Sequence, residues 1–158
     1  MAYARNTEVP VERTRAEIER LLSQHKCTSF ASGVDHVARR ATVQFKAYTR
    51  IVKFELVLPD PKDPKYRKIK NSYLQRTQAG IDKAVQQDER TRWRALLLVI
   101  KAKLEAVESG IATFEDEFLA HTLLPNQQTV AQYIGPIVEE VYATGRMPVD
   151  HRLPEGTS

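Results

Sequence analysis

Hydrophobic and polar residues alternate with different periods along this chain, and the changes of period divide it into elements. Val11, Ile18, Leu21 and Leu22 follow a helical spacing, with Glu12, Arg13, Arg15, Glu17, Glu19 and Arg20 on the other faces. Pro10 suits the first turn of that helix, since its missing N–H costs nothing there. The pattern predicts an end between Gln24 and Lys26.

The period then shortens to two. Ser29–Ser32 reads as a short strand stopped by Gly33. Ala41–Ala47 places Val43 and Phe45 on one face and Thr42, Gln44 and Lys46 on the other. Arg50–Leu58 points Val52, Phe54, Leu56 and Leu58 inward and Lys53 and Glu55 outward, with Ile51 and Val57 interrupting the polar face. Tyr48-Thr49-Arg50 is the predicted hairpin turn and Pro59 the stop. Two or three antiparallel strands are too few to be stable alone, so helices must cover their apolar face. Pro59–Tyr73, with three prolines among its first residues, reads as a long loop of the kind usually functional or disordered.

A long amphipathic helix is predicted over Thr77–Ser109. Thr77 is its cap and Gly110 its C-terminal stop. Val85, Trp93, Leu96, Leu97, Ile100, Leu104 and Val107 share one arc, and Lys83, Arg90, Arg94 and Lys101 form a basic stripe. Gly80 predicts a ragged start, and the apolar arc is interrupted between Gln86 and Glu89, where a break is expected. Thr113 starts a short helix that packs Phe114, Phe118 and Leu119 inward. Thr129-Val-Ala-Gln132 is a capping box for a last helix to about Ala143, kinked or restarted at Pro136 and stopped by Gly145. The expected architecture is a single α+β domain over residues 1–145. It comprises an N-terminal helix, a small antiparallel sheet, a long amphipathic helix and two shorter C-terminal helices, ending in a mobile tail over 146–158.

Composition adds little to this. The chain has 158 residues, and its longest apolar run, Ala95–Ile100, is far below the roughly 18–20 residues that span a bilayer. The first residues lack an apolar leader core, and the lone Cys27 cannot form an intrachain disulfide, so a reducing, cytoplasmic setting without membrane association is expected.

Charge changes the picture more. Val37–Arg76 carries a net +8, whereas Leu104–Gly145 contains no Lys or Arg and carries −7. Such a division makes one part of the molecule attractive to polyanions. In the loop, Lys62, Lys65, Arg67, Lys68, Lys70 and Arg76 supply cations, and Tyr66 and Tyr73 interleave rings suited to stacking on bases. Arg39, Arg40, Lys46, Arg50 and Lys53 extend this track over the hairpin, and Lys83, Arg90, Arg94 and Lys101 border it. The expected partner is nucleic acid, DNA in preference to RNA, bound without catalysis and without a cofactor.

Two other readings compete. Glu115, Asp116 and Glu117 would serve a module that docks on a protein complex, and a long helix with a spare apolar edge admits a homo-oligomer. A metal-dependent nuclease would draw on Asp35, Glu55, Asp60 and Asp63, with Lys46 and Lys53 stabilising charge. However, Gln44-Phe-Lys46 only echoes the required acidic pattern, and two-metal chemistry needs carboxylates converging on ions about 3.5–4 Å apart. His25, His36, His121 and His151 are scattered. Glu117 and His121 lie one helical turn apart, which is too few ligands for a metal site. Ser32, Asp35 and His36 lack the Gly-x-Ser-x-Gly elbow, and six isolated glycines build no phosphate loop.

Val11–Leu22, Arg92–Val107, Gly110–Pro125 and Thr144–Pro148 resemble stretches of a family of small uncharacterised proteins associated with bacteriophage and prophage genomes. These stretches make up about a third of the chain and reach toward both its ends. The resemblance implies a mobile-element context and assigns no catalytic residue; the nucleic-acid reading then becomes that of an accessory protein in replication, recombination or regulation, and the docking reading that of a module acting on a host or phage protein complex.

Overall fold

The N-terminal apolar stripe closes on one side of a 14-residue helix, α1 (Val11–Gln24), where Thr14, Ile18 and Leu22 are buried. The structure is a computed structural model and describes residues 4–148. The expected tail falls almost wholly outside the described residues, as does His151.

After α1 the chain forms three strands, β1 (Cys27–Asp35), β2 (Arg40–Ala47) and β3 (Arg50–Val57), in an antiparallel sheet of order β1-β2-β3. The register sets Phe45 opposite Phe30 and Val52, and Val43 opposite Phe54, so one face is largely apolar, with Ser32, opposite Val43, held by Arg15 of α1. β1 is longer than the sequence predicts. It runs through Gly33, which pairs with Thr42 on the solvent-facing side where nothing lies near a would-be Cβ. Asp35 builds the first turn by accepting the backbone N–H groups of Val37 and Ala38. Tyr48, in the second turn, has a left-handed φ of 53°.

The apolar face is covered by α1 and by α2 (Gln78–Glu108), a 31-residue helix. At 1.5 Å per residue α2 is about 47 Å long. Trp93, Ile100, Phe45, Val52 and Phe118 are fully buried in the shared core. The expected ragged start of α2 is absent because Thr77 Oγ1 accepts the Gly80 N–H. The expected break at Gln86–Glu89 is also absent. Two of the polar residues that interrupt the arc there make distant contacts, Asp88 toward Tyr66 and Gln87 toward the N-terminal segment. Gln87 Nε2 donates to the Thr7 carbonyl at 2.8 Å, and Thr91 Oγ1 to that of Arg5 at 3.3 Å. Gly110 lies just past the helix end with φ +76°.

α3 (Phe114–Glu117) is a single capped turn continued by a 3₁₀ turn, Leu119–His121. Phe118 stands edge-on to Phe45 and Phe54, with centroids 5.9 and 6.4 Å apart. Leu119 does not pack inward as its sequence position predicts; with Phe118 occupying the interior, it is 54% exposed. Leu123 N–H then donates to the Ile51 carbonyl and Thr122 bridges to Val52, which extends the β3 edge. α4 (Val130–Thr144) opens with the expected capping box and ends at Gly145 in the left-handed region. It continues through the exposed Pro136 without a restart. Among the described residues no helix is long and apolar enough to cross a membrane. Burial pushes the Cys27 thiol up to about 11, so it is protonated at neutral pH.

Two outcomes check this packing. Phe118→Ala should lower the unfolding free energy by about 3–5 kcal/mol in urea titrations, since it removes the ring that joins α3 to the sheet. The second concerns His121, which stacks on Phe54 at 4.1 Å. Burial, and then the Lys103 charge, hold its pKa below the ordinary 6.5. The unfolded chain therefore takes up this proton first, and stability is lost as pH falls through the unfolded value toward the folded one. Melting temperatures taken from about pH 7.5 to 5.5 should fall less steeply in His121→Gln than in the parent.

Candidate nucleic-acid interface

The loop after β3 is held by its own polar residues before any distant contact forms. Asp60 Oδ1 accepts the Lys62 N–H, and Asp63 Oδ1 accepts that of Lys65, opening a 3₁₀ turn at Pro64–Tyr66. Tyr66 is then buried in a small cluster with Ile81 and Val85 of α2. Its hydroxyl donates to Asp88 Oδ2. Lys65 Nζ is 3.2 Å from the same oxygen and 4.7 Å from the Tyr66 ring centroid. Burial pulls the Asp88 carboxyl upward, but the hydrogen bonds from Tyr66 and Lys65 outweigh it and hold the group below its ordinary 3.8. Burial, and secondarily the bond to Asp88, raises the Tyr66 phenol.

Beyond this anchor the chain makes a small finger. Arg76 N–H returns to the Arg67 carbonyl at 2.9 Å, and Lys68 bridges to Gln75. Asn71, at φ 61°, turns the tip, where Ser72 N–H meets the Ile69 carbonyl. Arg67, Lys68 and Lys70 are exposed on the finger and form no ion pair among the described residues. Tyr73 is fully exposed and Leu74 is 73% exposed.

A hollow of about 620 Å³ lies between the finger and α2. Ile69 and Ala84 give it apolar surface, and Arg76, Lys83 and Arg90 bring charge to it; no carboxylate lines it. Arg90 Nη2 donates to Gln87 Oε1 at 2.6 Å, while its buried Nε has no hydrogen-bond partner. Arg76 Nη1 donates to the Tyr66 carbonyl at 3.3 Å. Gly80, Lys83, Ala84, Gln87 and Arg90 recur at helical spacing, the signal by which this face could be found in the sequence; charge alone points to Lys83 and Arg90 and misses Ile69, Ala84 and Gln87.

The remaining cations of the predicted track divide into two sets. Some are committed to structure. Arg39 donates through Nε and Nη2 to the Pro59 carbonyl, Arg94 pairs with Glu17 at 2.7 Å, and Lys53 pairs with Glu55 at 2.7 Å. Tyr66 belongs with them: its buried ring leaves no face for a base, so of the two tyrosines only Tyr73 can stack. The others are exposed but elsewhere. Arg40 and Lys46 lie on the sheet face turned away from the helices, and Arg50 lies at the hairpin end. Lys62 is at the loop entrance, and Lys101 lies beyond Arg94 toward the C-terminus of α2. The hairpin and the finger therefore do not make one continuous track.

The competing site residues are also placed. Asp35, Asp60 and Asp63 accept backbone N–H groups in turns, and Glu55 holds Lys53. Among the described residues no three His, Cys, Asp or Glu side chains converge as metal ligands. Glu117 Oε1 is 3.1 Å from Lys103 Nζ. Glu115 and Asp116 are exposed in the first turn of α3, where the helix N-terminus favours negative charge. Comparison of the chain with protein-family models, with curated proteins and with solved structures gives no match.

The anchor has a direct check. Tyr66→Phe removes the donor to Asp88 and should cost about 1–2 kcal/mol of stability. Limited proteolysis should then cut within Arg67–Arg76 faster than in the parent, with helix content by circular dichroism unchanged.

Proposed function

We propose that the protein is a non-enzymatic nucleic-acid-binding accessory protein and that the finger and hollow are its binding surface. One observation carries this reading: Arg67, Lys68 and Lys70, which form no ion pair among the described residues, and the exposed Tyr73 stand beside a hollow that holds Arg76, Lys83 and Arg90 and that no carboxylate of the described residues lines. Cations neutralise phosphates whatever the sequence, and a free tyrosine face stacks on unpaired bases. The chemistry therefore suits a single-stranded nucleic acid, and single-stranded DNA is the form we propose. The resemblance of the helical segments to phage-associated proteins supports a role in replication, recombination or regulation of a mobile element.

Fluorescence anisotropy with single- and double-stranded oligonucleotides tests this reading. Six phosphate contacts predict an affinity loss of about three-hundredfold on a single strand, and of about a thousandfold on a duplex, between roughly 50 and 200 mM salt. Tyr73→Ala should weaken single-strand binding by about tenfold and leave any duplex binding unchanged. Charge reversal of Arg67, Lys68 and Lys70 together should abolish binding; Lys65 is left intact because it supports the Tyr66 anchor. Absence of binding at about 50 mM salt would overturn the reading.

A further inference from the structure

The cations of the hollow are held differently from those of the finger. Arg67, Lys68 and Lys70 are exposed on the finger, as a strand running past them requires. In the hollow, Arg76 is tied through Nη1 to the Tyr66 carbonyl and Arg90 through Nη2 to Gln87 Oε1, and Gln87 is itself tied to the Thr7 carbonyl. Both guanidinium groups are therefore fixed before any ligand arrives. Lys83 is exposed and shares a face of α2 with Arg90. None of the three forms an ion pair among the described residues, and no carboxylate of those residues lines the hollow. The Nε of Arg90 is buried without a hydrogen-bond partner. Leaving a buried guanidinium N–H unpaired costs free energy that the oxygen of an incoming anion recovers. Beside these donors Ile69 and Ala84 present apolar surface, and the volume of about 620 Å³ lies within the range that takes a small organic ligand.

Resting on the nucleic-acid reading, we propose that the hollow seats the phosphorylated end of the strand. It takes the terminal nucleotide, with the phosphate monoester among Arg76, Lys83 and Arg90 and the base against Ile69 and Ala84. Charge selects the end over the interior. An internal phosphodiester carries a single negative charge, whereas a terminal monoester carries about 1.5 to 2 near neutral pH and offers three acceptor oxygens. Three cations around one hollow, with no described carboxylate lining it, match the monoester; one diester would leave most of that charge unanswered. The diesters that follow meet the separate cations of the finger, where the exposed Tyr73 awaits the next bases. The protein then binds where a strand stops and not along its length.

Competition against an internally labelled, unphosphorylated single strand, read by fluorescence anisotropy at fixed salt, tests this. The competitors are that strand without a phosphate, with a 5′-phosphate and with a 3′-phosphate, and a free mononucleotide. The better of the two phosphorylated strands should bind about tenfold or more tighter than the unphosphorylated one, because hydrogen bonds between charged groups are the strong ones. Lys83→Gln, at an exposed position, should cut that ratio to about threefold or less. Tyr73→Ala should weaken both strands alike and keep the ratio. Equal binding of phosphorylated and unphosphorylated strands overturns the proposal and leaves the nucleic-acid reading standing, whereas binding of neither overturns both. A ratio that survives both Lys83→Gln and Arg90→Gln puts the end elsewhere and overturns it too. So does a free mononucleotide as effective as the phosphorylated strand, which would make the hollow a nucleotide pocket.

Discussion

The contact between α2 and one apolar face of a three-stranded sheet is the constraint on which the rest of the molecule depends. A sheet this small cannot hold itself together, and a helix as long as α2 has more surface than the sheet can cover. Trp93 and Ile100, fully buried, close that contact at the middle of the helix. The overhanging N-terminal turns are left to organise what comes before them in the chain. They bury Tyr66 and hold it through Asp88, and they provide Gly80, Lys83 and Arg90 as a wall facing the finger. The flank of the same helix fastens α1 through Arg94 and Glu17 and the N-terminal segment through Gln87.

Folding therefore redistributes the basic stretch. Along the chain its cations are equivalent, but in space Arg39, Lys53 and Lys65 satisfy a carbonyl or a carboxylate nearby. Arg67, Lys68 and Lys70 remain uncommitted because no carboxylate of the described residues lies within ion-pair distance of them. What distinguishes the finger is the concentration of unspent charge beside an aromatic side chain that has nowhere else to go. Local charge density then exceeds what the net charge of +4 suggests.

Features fixed by neighbouring residues were legible in the sequence. The bounds of α2 follow from Thr77 and Gly110, the start of α4 from its Thr129–Gln132 box, and the inward residues of β2 and β3 from strict alternation. Features fixed by distant partners were not. Tyr66 and Tyr73 have similar basic surroundings in the chain, and only the arrival of α2 separates an anchor from an exposed ring. The polar gap at Gln86–Glu89 has the pattern of a helix break; it is instead where Gln87 holds the N-terminal segment and Asp88 holds Tyr66. Gly33 reads as a strand stop, yet its paired position on the outer face needs no side chain. For the candidate site, the loop cations and the α2 stripe could be read from the sequence. Their sorting into free and committed could not, because each pairing joins residues remote in the chain.

Tyr48 carries a consequence for how the molecule assembles. Its left-handed backbone is one that a bulky residue adopts only against its steric preference, and its ring rests on Phe114 at 5.2 Å. The strain in the β2–β3 turn is thus compensated by a residue that lies beyond the whole of α2. The hairpin lacks that compensation while the C-terminal segment is still unplaced, so its closure is not a self-sufficient local event. The β2–β3 turn therefore reaches its full stability only when Phe114 is in place, which couples the hairpin end to the segment beyond α2.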